Sequence, residues 1–247
     1  RPSAEVGRHR EDRPVSVHSQ ATPRGRVLFL LTSHARLGDT GRATGYYLSE
    51  VSHTHRVFVN RGYAVEFASV QGGAPPMDPA SLDQTDPVNE AFLASPAFAA
   101  LGETLAVEDV ATNTYDAVFF PGGHGTMWDL PGDPDVARLA TDMYAAGGIV
   151  GAVCHGPAAL VDADLPDGEH LLRGRTVTCF SNEEETSVAL ENVVPFLLED
   201  RLRERGATVL TAEPFEPQVV VWERLVTGQN PASARGTALA MVKLLES

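Results

Sequence analysis

Residues 149–157 read Ile-Val-Gly-Ala-Val-Cys-His-Gly-Pro, and this stretch decides the fold. The apolar run 149–153 is unbroken, which is typical of a strand buried on both faces of a parallel sheet. Pro157 suits the first turn of a helix, so a helix is predicted to begin directly after the strand. The chain therefore passes from strand to helix in a tight turn around Cys154.

Similar apolar runs recur on both sides of this stretch and alternate with helical segments. Residues 72–90 interrupt the pattern with many Gly, Pro, Asp and Ser residues, which predicts a long surface excursion. The alternation predicts an α/β protein with a mostly parallel, doubly wound sheet and helices on both faces. Strands are predicted at 27–31, 64–68, 117–120 and 149–153 and near 175–180, 207–211 and 218–227, and the longer helices at about 45–61, 134–146 and 231–245.

The bulk composition excludes several classes of partner. The chain has 247 residues, of which 43% are hydrophobic and 21% charged, and this suits one globular α/β domain. Its formal charge of -14 comes without a basic stripe, so nucleic acid is excluded as a partner, and so is an anionic membrane surface. No apolar run is long enough to span a bilayer, and we expect no membrane partner.

The two ends of the chain and its cysteines define the predicted organisation. Residues 1–25 are polar and Arg-containing, and they predict a disordered leader or an expression remnant, so the domain is expected to occupy residues 26–247. Only Cys154 and Cys179 occur, which argues against a disulfide framework and fits a reducing cytoplasm.

Cys154 is the candidate nucleophile. A reactive side chain between a buried strand and a helix is pushed out over the sheet edge, as in a nucleophile elbow, and a helix N-terminus favours the thiolate. The competing interpretation is a buried free cysteine, which is what most lone cysteines are. The nearby glycines and the adjacent His155 favour the nucleophile, whereas Cys179, inside the apolar run 177–180, is expected to be core.

A second strand end supplies candidate oxyanion donors. Residues 120–125 read Phe-Pro-Gly-Gly-His-Gly, and consecutive glycines let backbone N–H groups approach a ligand closely. The N–H of Gly123 could form an oxyanion hole together with the N–H of His155. A simple tight turn between strand and helix is the alternative.

Acid–base partners are predicted around the cysteine. Only His155 and His170 follow Cys154 in the chain, and His170 lies in a polar insertion, so His155 is the candidate base. Its orienting carboxylate is expected among the adjacent acids 183–185, and the pattern leaves open which one. Glu50 lies at the edge of the apolar face of helix 45–61, where it either keeps its proton and donates it or extends its charge to solvent.

Metal and cofactor sites are not predicted. His53 and His55 are two residues apart on the same predicted helix and point to different faces, and no third ligand accompanies them.

Three motifs together resemble the PfpI-like superfamily, within it the glutathione-independent glyoxalase III branch, which includes heat-shock chaperone-type members. The resemblance implies a flavodoxin-like sandwich, often dimeric, with Cys154 as nucleophile, His155 as base, Glu50 as the helix glutamate and Glu185 as the third, acidic member. The motifs are Ala-Val-Cys-His-Gly-Pro-Ala at 152–158, Gly-His-Gly-Thr-Met-Trp-Asp at 123–129 and Leu-Val-Thr-Gly-Gln-Asn-Pro-Ala-Ser-Ala at 225–234.

The reaction that this resemblance implies is the conversion of methylglyoxal to D-lactate without a cofactor. Cys154 would add to the aldehyde to form a hemithioacetal, and His155 would shuttle a proton while Glu50 and backbone N–H groups stabilise charge on oxygen. One alternative keeps the nucleophile for an amidase, a peptidase or an isonitrile hydratase. The other is non-catalytic, a stress holdase or a redox sensor that uses Cys154.

Overall fold

The structure is a computed structural model and describes residues 22–247. Its strands are β1 Arg26–Leu31, β2 Ala64–Ser69, β3 Gln71–Gly73, β4 Thr104–Ala106, β5 Ala117–Phe120, β6 Ile149–Val153, β7 Thr176–Val177, β8 Thr208–Val209, β9 Val219–Trp222 and β10 Leu225–Gly228. Its α-helices are α1 Leu48–Asn60, α2 Pro87–Leu93, α3 Pro96–Ala100, α4 Thr126–Asp129, α5 Pro134–Ala145, α6 Asn182–Ser187, α7 Leu198–Glu204 and α8 Ala234–Leu245.

The main sheet confirms the predicted α/β class. Its strand order is β3-β4-β2-β1-β5-β6-β10-β9, with every pairing parallel except those of β3 and β9 at the two edges. β5 and β6 lie side by side, and Phe120 pairs with Ala152. The carboxyl ends of parallel strands meet at one edge of a sheet. The segment after Phe120 and the turn at Cys154 are therefore neighbours.

Alternating side chains of the central strands build one core on each face of the sheet. Leu28 and Leu30 of β1 face a cluster that includes Leu139 and Met143 of α5. Val27, Phe29 and Leu31 face the opposite cluster, which α1 and α8 cover with Val51, Phe58 and Met241. Both faces of the sheet are therefore covered by helices, as a parallel sheet requires.

Several predicted boundaries differ from the structure. The predicted strand 218–227 is the hairpin β9–β10, in which Leu225 pairs antiparallel with Trp222. The predicted strands 175–180 and 207–211 shorten to β7 and β8, which pair with each other outside the main sheet. Helix α1 begins at Leu48 instead of residue 45, because the backbone of Tyr47 is extended. The excursion 72–90 also contains part of β3 and the start of α2.

The predicted leader, residues 1–25, lies outside the described residues except for residues 22–25. Within residues 22–247, no helix combines the length and the apolar character needed to cross a membrane.

Candidate active site

Cys154 occupies a strained turn at the end of β6. Its φ is 60°, in the left-handed region that side chains other than glycine rarely adopt, at a cost of about 1–3 kcal/mol. The surrounding backbone holds this conformation: the N–H of Cys154 donates to Gly228 O at 2.9 Å, and its carbonyl accepts from Phe180 N at 2.9 Å. The helix that follows is a 3-10 helix, Gly156–Leu160, and not an α-helix.

Close backbone packing at this turn explains its glycines. A Cβ on Gly156 would lie 2.0 Å from the carbonyl oxygen of Phe120, and one on Gly122 would lie 2.7 Å from the N of His155. Both contacts are with backbone atoms, which cannot move aside without shifting a strand end. Only glycine lets the end of β5 approach the turn so closely.

A cavity lies in front of the cysteine. Cys154 is 3% exposed and lines a cavity of about 250 Å³ together with Tyr47, Gly123, His124 and Phe215. Cys179, by contrast, is fully buried and its thiol contacts Phe180 O at 3.3 Å, so it is the core residue that the sequence predicted. The structure thus places one of the two sulfur atoms at a cavity and the other in the core.

His155 and Glu185 stand in line behind the sulfur. Cys154 Sγ is 3.3 Å from His155 Nδ1, and His155 Nε2 is 2.6 Å from Glu185 Oε2. His155 is fully buried and Glu185 is 3% exposed. This is the order nucleophile, base and orienting carboxylate that the sequence predicts.

The first turn of α6 selects Glu185 among the three adjacent acids. Ser181 caps the helix, and the Glu184 side chain closes a capping box by accepting from Ser181 N at 2.8 Å. Glu183 is exposed to solvent. Glu185 is the acid that faces His155, a distinction that depends on helix phase and capping and that composition does not reveal.

His124 is a site residue that the sequence reasoning missed. Its Nε2 lies 2.7 Å from Glu185 Oε1, and its ring centroid is 4.1 Å from that of His155. Glu185 therefore holds one imidazole on each oxygen. The sequence offered one signal, because His124 lies four residues after the end of the predicted strand 117–120, but the pairing of this strand with β6 is seen only in the structure. The consecutive glycines of this segment point to its backbone N–H groups and not to the His124 side chain.

Glu50 projects from the first turn of α1 into the same site and is fully buried. Its Oε2 accepts from Gly122 N at 2.5 Å, and its Oε1 has no hydrogen-bond partner among the described residues. Burial raises the pKa of this carboxyl to about 8, although the hydrogen bond from Gly122 and the proximity of the Cys154 thiol oppose the shift. Of the two interpretations drawn from sequence, the geometry matches the carboxyl that keeps its proton at neutral pH.

The sulfur is not activated in the way that the sequence predicts. Burial raises the pKa of the Cys154 thiol, and an ionised Glu50 raises it further. The short 3-10 helix at 156–160 provides little of the helix dipole that was expected to lower it. Since Glu50 is mostly protonated at neutral pH, its O–H can donate to the sulfur and so stabilise a thiolate.

The surroundings of His155 and Glu185 determine their charges at neutral pH. Burial lowers the pKa of the His155 imidazole and His124 lowers it further, whereas Glu185 opposes both. Burial alone would raise the pKa of Glu185, but the positive charge of His155 when it is protonated and the hydrogen bonds from both imidazoles outweigh it, and this pKa is lowered. At neutral pH Glu185 is therefore a carboxylate and His155 a neutral base.

The two residues predicted to supply oxyanion donors, Gly123 and His155, both line the same cavity. Gly123 has a φ of 101° and lines the cavity with His155. Within residues 22–247, neither the N–H of Gly123 nor that of His155 is engaged by another protein group. Such unpaired donors beside a nucleophile can bind an oxygen that becomes negatively charged.

The histidines considered as metal ligands lie elsewhere. His53 binds Asp86 at 2.7 Å, and His55 packs between Phe67 and Phe92. In the site itself, ligand atoms of His124, His155 and Glu185 lie within 4.8 Å of one another, a spacing that a metal ion could bridge. Both oxygens of Glu185 already accept hydrogen bonds from the two imidazoles. Cys154, His155, Glu185 and His124 therefore form one hydrogen-bonded chain, which we call the relay.

With this geometry in view, the comparison with known families is decisive. The sequence profile of the DJ-1/PfpI family matches residues 42–244. The chain belongs to this family. The DJ-1/PfpI assignment covers the strands and the turn that position Cys154, as well as α1 with Glu50 and α6 with Glu185.

Named DJ-1/PfpI relatives align with nearly the whole chain. The glutathione-independent glyoxalase HSP31 of Saccharomyces cerevisiae is 32% identical over 90% of this chain and 98% of its own length. The crystal structure of glyoxalase III from Candida albicans superposes with a TM-score of 0.84 at 31% identity, covering 90% of this chain and 97% of that one. Rapid Encystment Protein 24 kDa of Francisella tularensis gives 0.87 at 38% identity, over 90% and 99% of the two chains.

Proposed function

We propose that this protein is a glutathione-independent glyoxalase that converts methylglyoxal, or a similarly small 2-oxoaldehyde, to the hydroxy acid. The observation that carries the proposal is the line of Cys154, His155 and Glu185 at the wall of a small cavity, with sulfur 3.3 Å from His155 Nδ1. The names of the yeast relatives support the substrate class. The cavity of about 250 Å³ suits a small carbonyl compound better than a peptide, which disfavours the peptidase alternative.

The proposed reaction begins at sulfur. The thiol proton of Cys154 passes to the neutral His155, and the thiolate attacks the aldehyde carbon C1. The oxygen on C1 then takes this proton back from His155, which gives a hemithioacetal and a neutral His155. The N–H groups of Gly123 and His155 bind the oxygen that gains charge, while protonated Glu50 donates to the sulfur before attack. A proton then moves from C1 to C2 through an enediol, while the C2 oxygen gains a proton and the C1 hydroxyl loses one. Water hydrolyses the resulting thioester, releasing D-lactate and the free thiol.

The first prediction tests the nucleophile. Cys154→Ala should reduce D-lactate formation from methylglyoxal, assayed without glutathione, by at least about 10³-fold, because no hemithioacetal can form on the protein. Cys179→Ala removes the other thiol and is the matched control, since that sulfur lies in the core. Equal activity of Cys154→Ala and Cys179→Ala would contradict the proposal, and so would absence of lactate from the wild-type protein.

We also propose that residues 26–247 act as one domain, in the reducing cytoplasm and as a homodimer. The family profile spans most of this range, and Cys154 and Cys179 are both free thiols. Val221 and Trp222 on the edge strand β9 are 49% and 38% exposed, which supports an apolar contact with a second copy. The holdase and redox-sensor roles stay predictions.

A further inference from the structure

The relay contains one imidazole more than a nucleophile–base–acid triad needs. Both ring nitrogens of His155 are engaged, Nδ1 by the sulfur at 3.3 Å and Nε2 by Glu185 at 2.6 Å. The side chain of His155 is only 1% exposed. Its position behind the sulfur suits proton exchange with sulfur, and both of its nitrogens are occupied in the substrate-free site.

His124 has the opposite placement. Its Nε2 binds the other oxygen of Glu185 at 2.7 Å, whereas its Nδ1 has no hydrogen-bond partner in residues 22–247. The side chain is 16% exposed and lines the cavity in front of Cys154. Glu185 fixes the ring orientation through Nε2, and the second nitrogen remains available for proton transfer.

The proposed reaction requires such a group. Once the C–S bond has formed, C1 carries a hydrogen, a hydroxyl and the sulfur, and C2 is still a ketone. Removal of the C1 proton leaves its electron pair in a C1–C2 double bond while the C2 oxygen takes up a proton, and this gives an enediol. Protonation of C2 with loss of the C1 hydroxyl proton then completes a thioester of lactate. C1 is oxidised and C2 reduced within one molecule, so no external oxidant or reductant is needed. The base must reach two adjacent carbons, not the sulfur.

We propose that His124 is this base, a second acid–base residue that takes the proton from C1 and returns it to C2 while His155 serves the sulfur. The inference rests on the proposed glyoxalase function and divides its proton transfers between two imidazoles on one carboxylate. Delivery from a fixed ring protonates a single face of C2, which makes a single enantiomer of the product.

The experiment compares His124→Gln with His53→Gln. A glutamine amide can keep the hydrogen bond to Glu185 but carries no exchangeable acid–base pair at neutral pH. His53 is the matched control, a half-buried histidine whose Nε2 binds Asp86 at 2.7 Å away from the site. Three quantities are measured for each: the rate of Cys154 alkylation by iodoacetamide, kcat with methylglyoxal, and the enantiomeric ratio of the lactate.

We expect His124→Gln to retain the alkylation rate within about twofold and to lose about 10²–10⁴-fold in kcat, the usual contribution of general acid–base catalysis. The residual lactate should be a mixture of enantiomers, because water then protonates C2 from either face. A purely structural role would slow alkylation as much as turnover. A kcat within about threefold of His53→Gln, with one enantiomer retained, would overturn the inference.

A second variant, His124→Ala, distinguishes the loss of a proton-transfer group from misfolding of the protein. His124→Ala should regain part of its kcat when free imidazole is added, and the alanine variant of Cys154 should not. Absence of rescue, with alkylation intact, would also count against His124. If the wild-type protein itself makes no lactate, the proposed function fails and the inference falls with it, an outcome distinct from a fully active His124→Gln.

Discussion

Glu50 shows how one buried residue makes the stability of the folded protein depend on pH. Below pH 4.5, its ordinary pKa, the carboxyl is protonated in both the folded and the unfolded chain; between pH 4.5 and about 8 only the unfolded chain ionises it. The folded state thus binds the proton more tightly, and the stability that Glu50 contributes is lost as pH rises through this window. At about 1.4 kcal/mol for each pH unit, the loss is on the order of 5 kcal/mol.

Glu50→Gln should therefore stabilise the folded protein at pH 8.5 by several kcal/mol and change little at pH 4.5. The amide keeps the contact with Gly122 and can donate to sulfur without ionising. Urea unfolding at both pH values measures the difference. Glu108→Gln, at an exposed glutamate away from the site, is the control for the substitution itself. An equal effect of Glu50→Gln at the two pH values would mean that the carboxyl is already ionised in the fold.

At the scale of elements, the site depends on how closely the ends of β5 and β6 approach each other. Gly122 lies where the two strand ends meet, and its N–H also binds Glu50. A Cβ there would lie 2.7 Å from His155 N and 2.9 Å from Glu50 Oε2. Because Gly122 has no side chain, the two strand ends can approach each other, His155 N can lie close to Gly122, and Glu50 can reach the backbone there.

Gly122→Ala should push the strand ends apart, at a cost of about 1–3 kcal/mol in the free energy of unfolding. It should also slow both Cys154 alkylation and methylglyoxal turnover. Gly102→Ala is the control, because Gly102 has nothing within 4 Å of its added Cβ. Unfolding curves and alkylation rates for both variants test this. Wild-type stability together with wild-type reactivity in Gly122→Ala would contradict the account.

At the scale of the whole molecule, the net charge of -14 and an apolar sheet edge act against each other. Charge keeps copies of the chain apart, and this repulsion weakens with salt. Val221 and Trp222 offer exposed apolar area on β9, the last strand of the main sheet.

Trp222→Lys should shift the proposed dimer toward monomer, because a charged side chain is costly to bury in an apolar contact. Light scattering after size-exclusion chromatography, at several protein concentrations, measures the mass. Val59→Lys is the control, since Val59 is 46% exposed on α1. The edge-strand contact is wrong if wild-type protein is monomeric throughout, or if both variants dimerise equally.

The sequence by itself determined the class of fold and the chemistry of the turn. Apolar runs of strand length alternating with helical segments specify a parallel sheet, because each buried strand needs a helix to cover it. The residues around Cys154 predict its strand-to-helix turn. The change from the apolar run 149–153 to Gly156 and Pro157 is local, so the sequence alone reveals it. The same local character explains why the core role of Cys179 could be predicted.

Only the tertiary structure decided which groups act together. The residue pattern alone did not separate Glu185 from its two acidic neighbours, and only the family resemblance pointed to it before helix phase and the Ser181 cap placed it beside His155. His124 came close to Glu185 only through the pairing of β5 with β6. The charge of Glu50 likewise depends on burial, which comes from distant segments. Distances of a few ångströms between residues 60 or more positions apart are set by the packing of the whole sheet, and no local pattern encodes them.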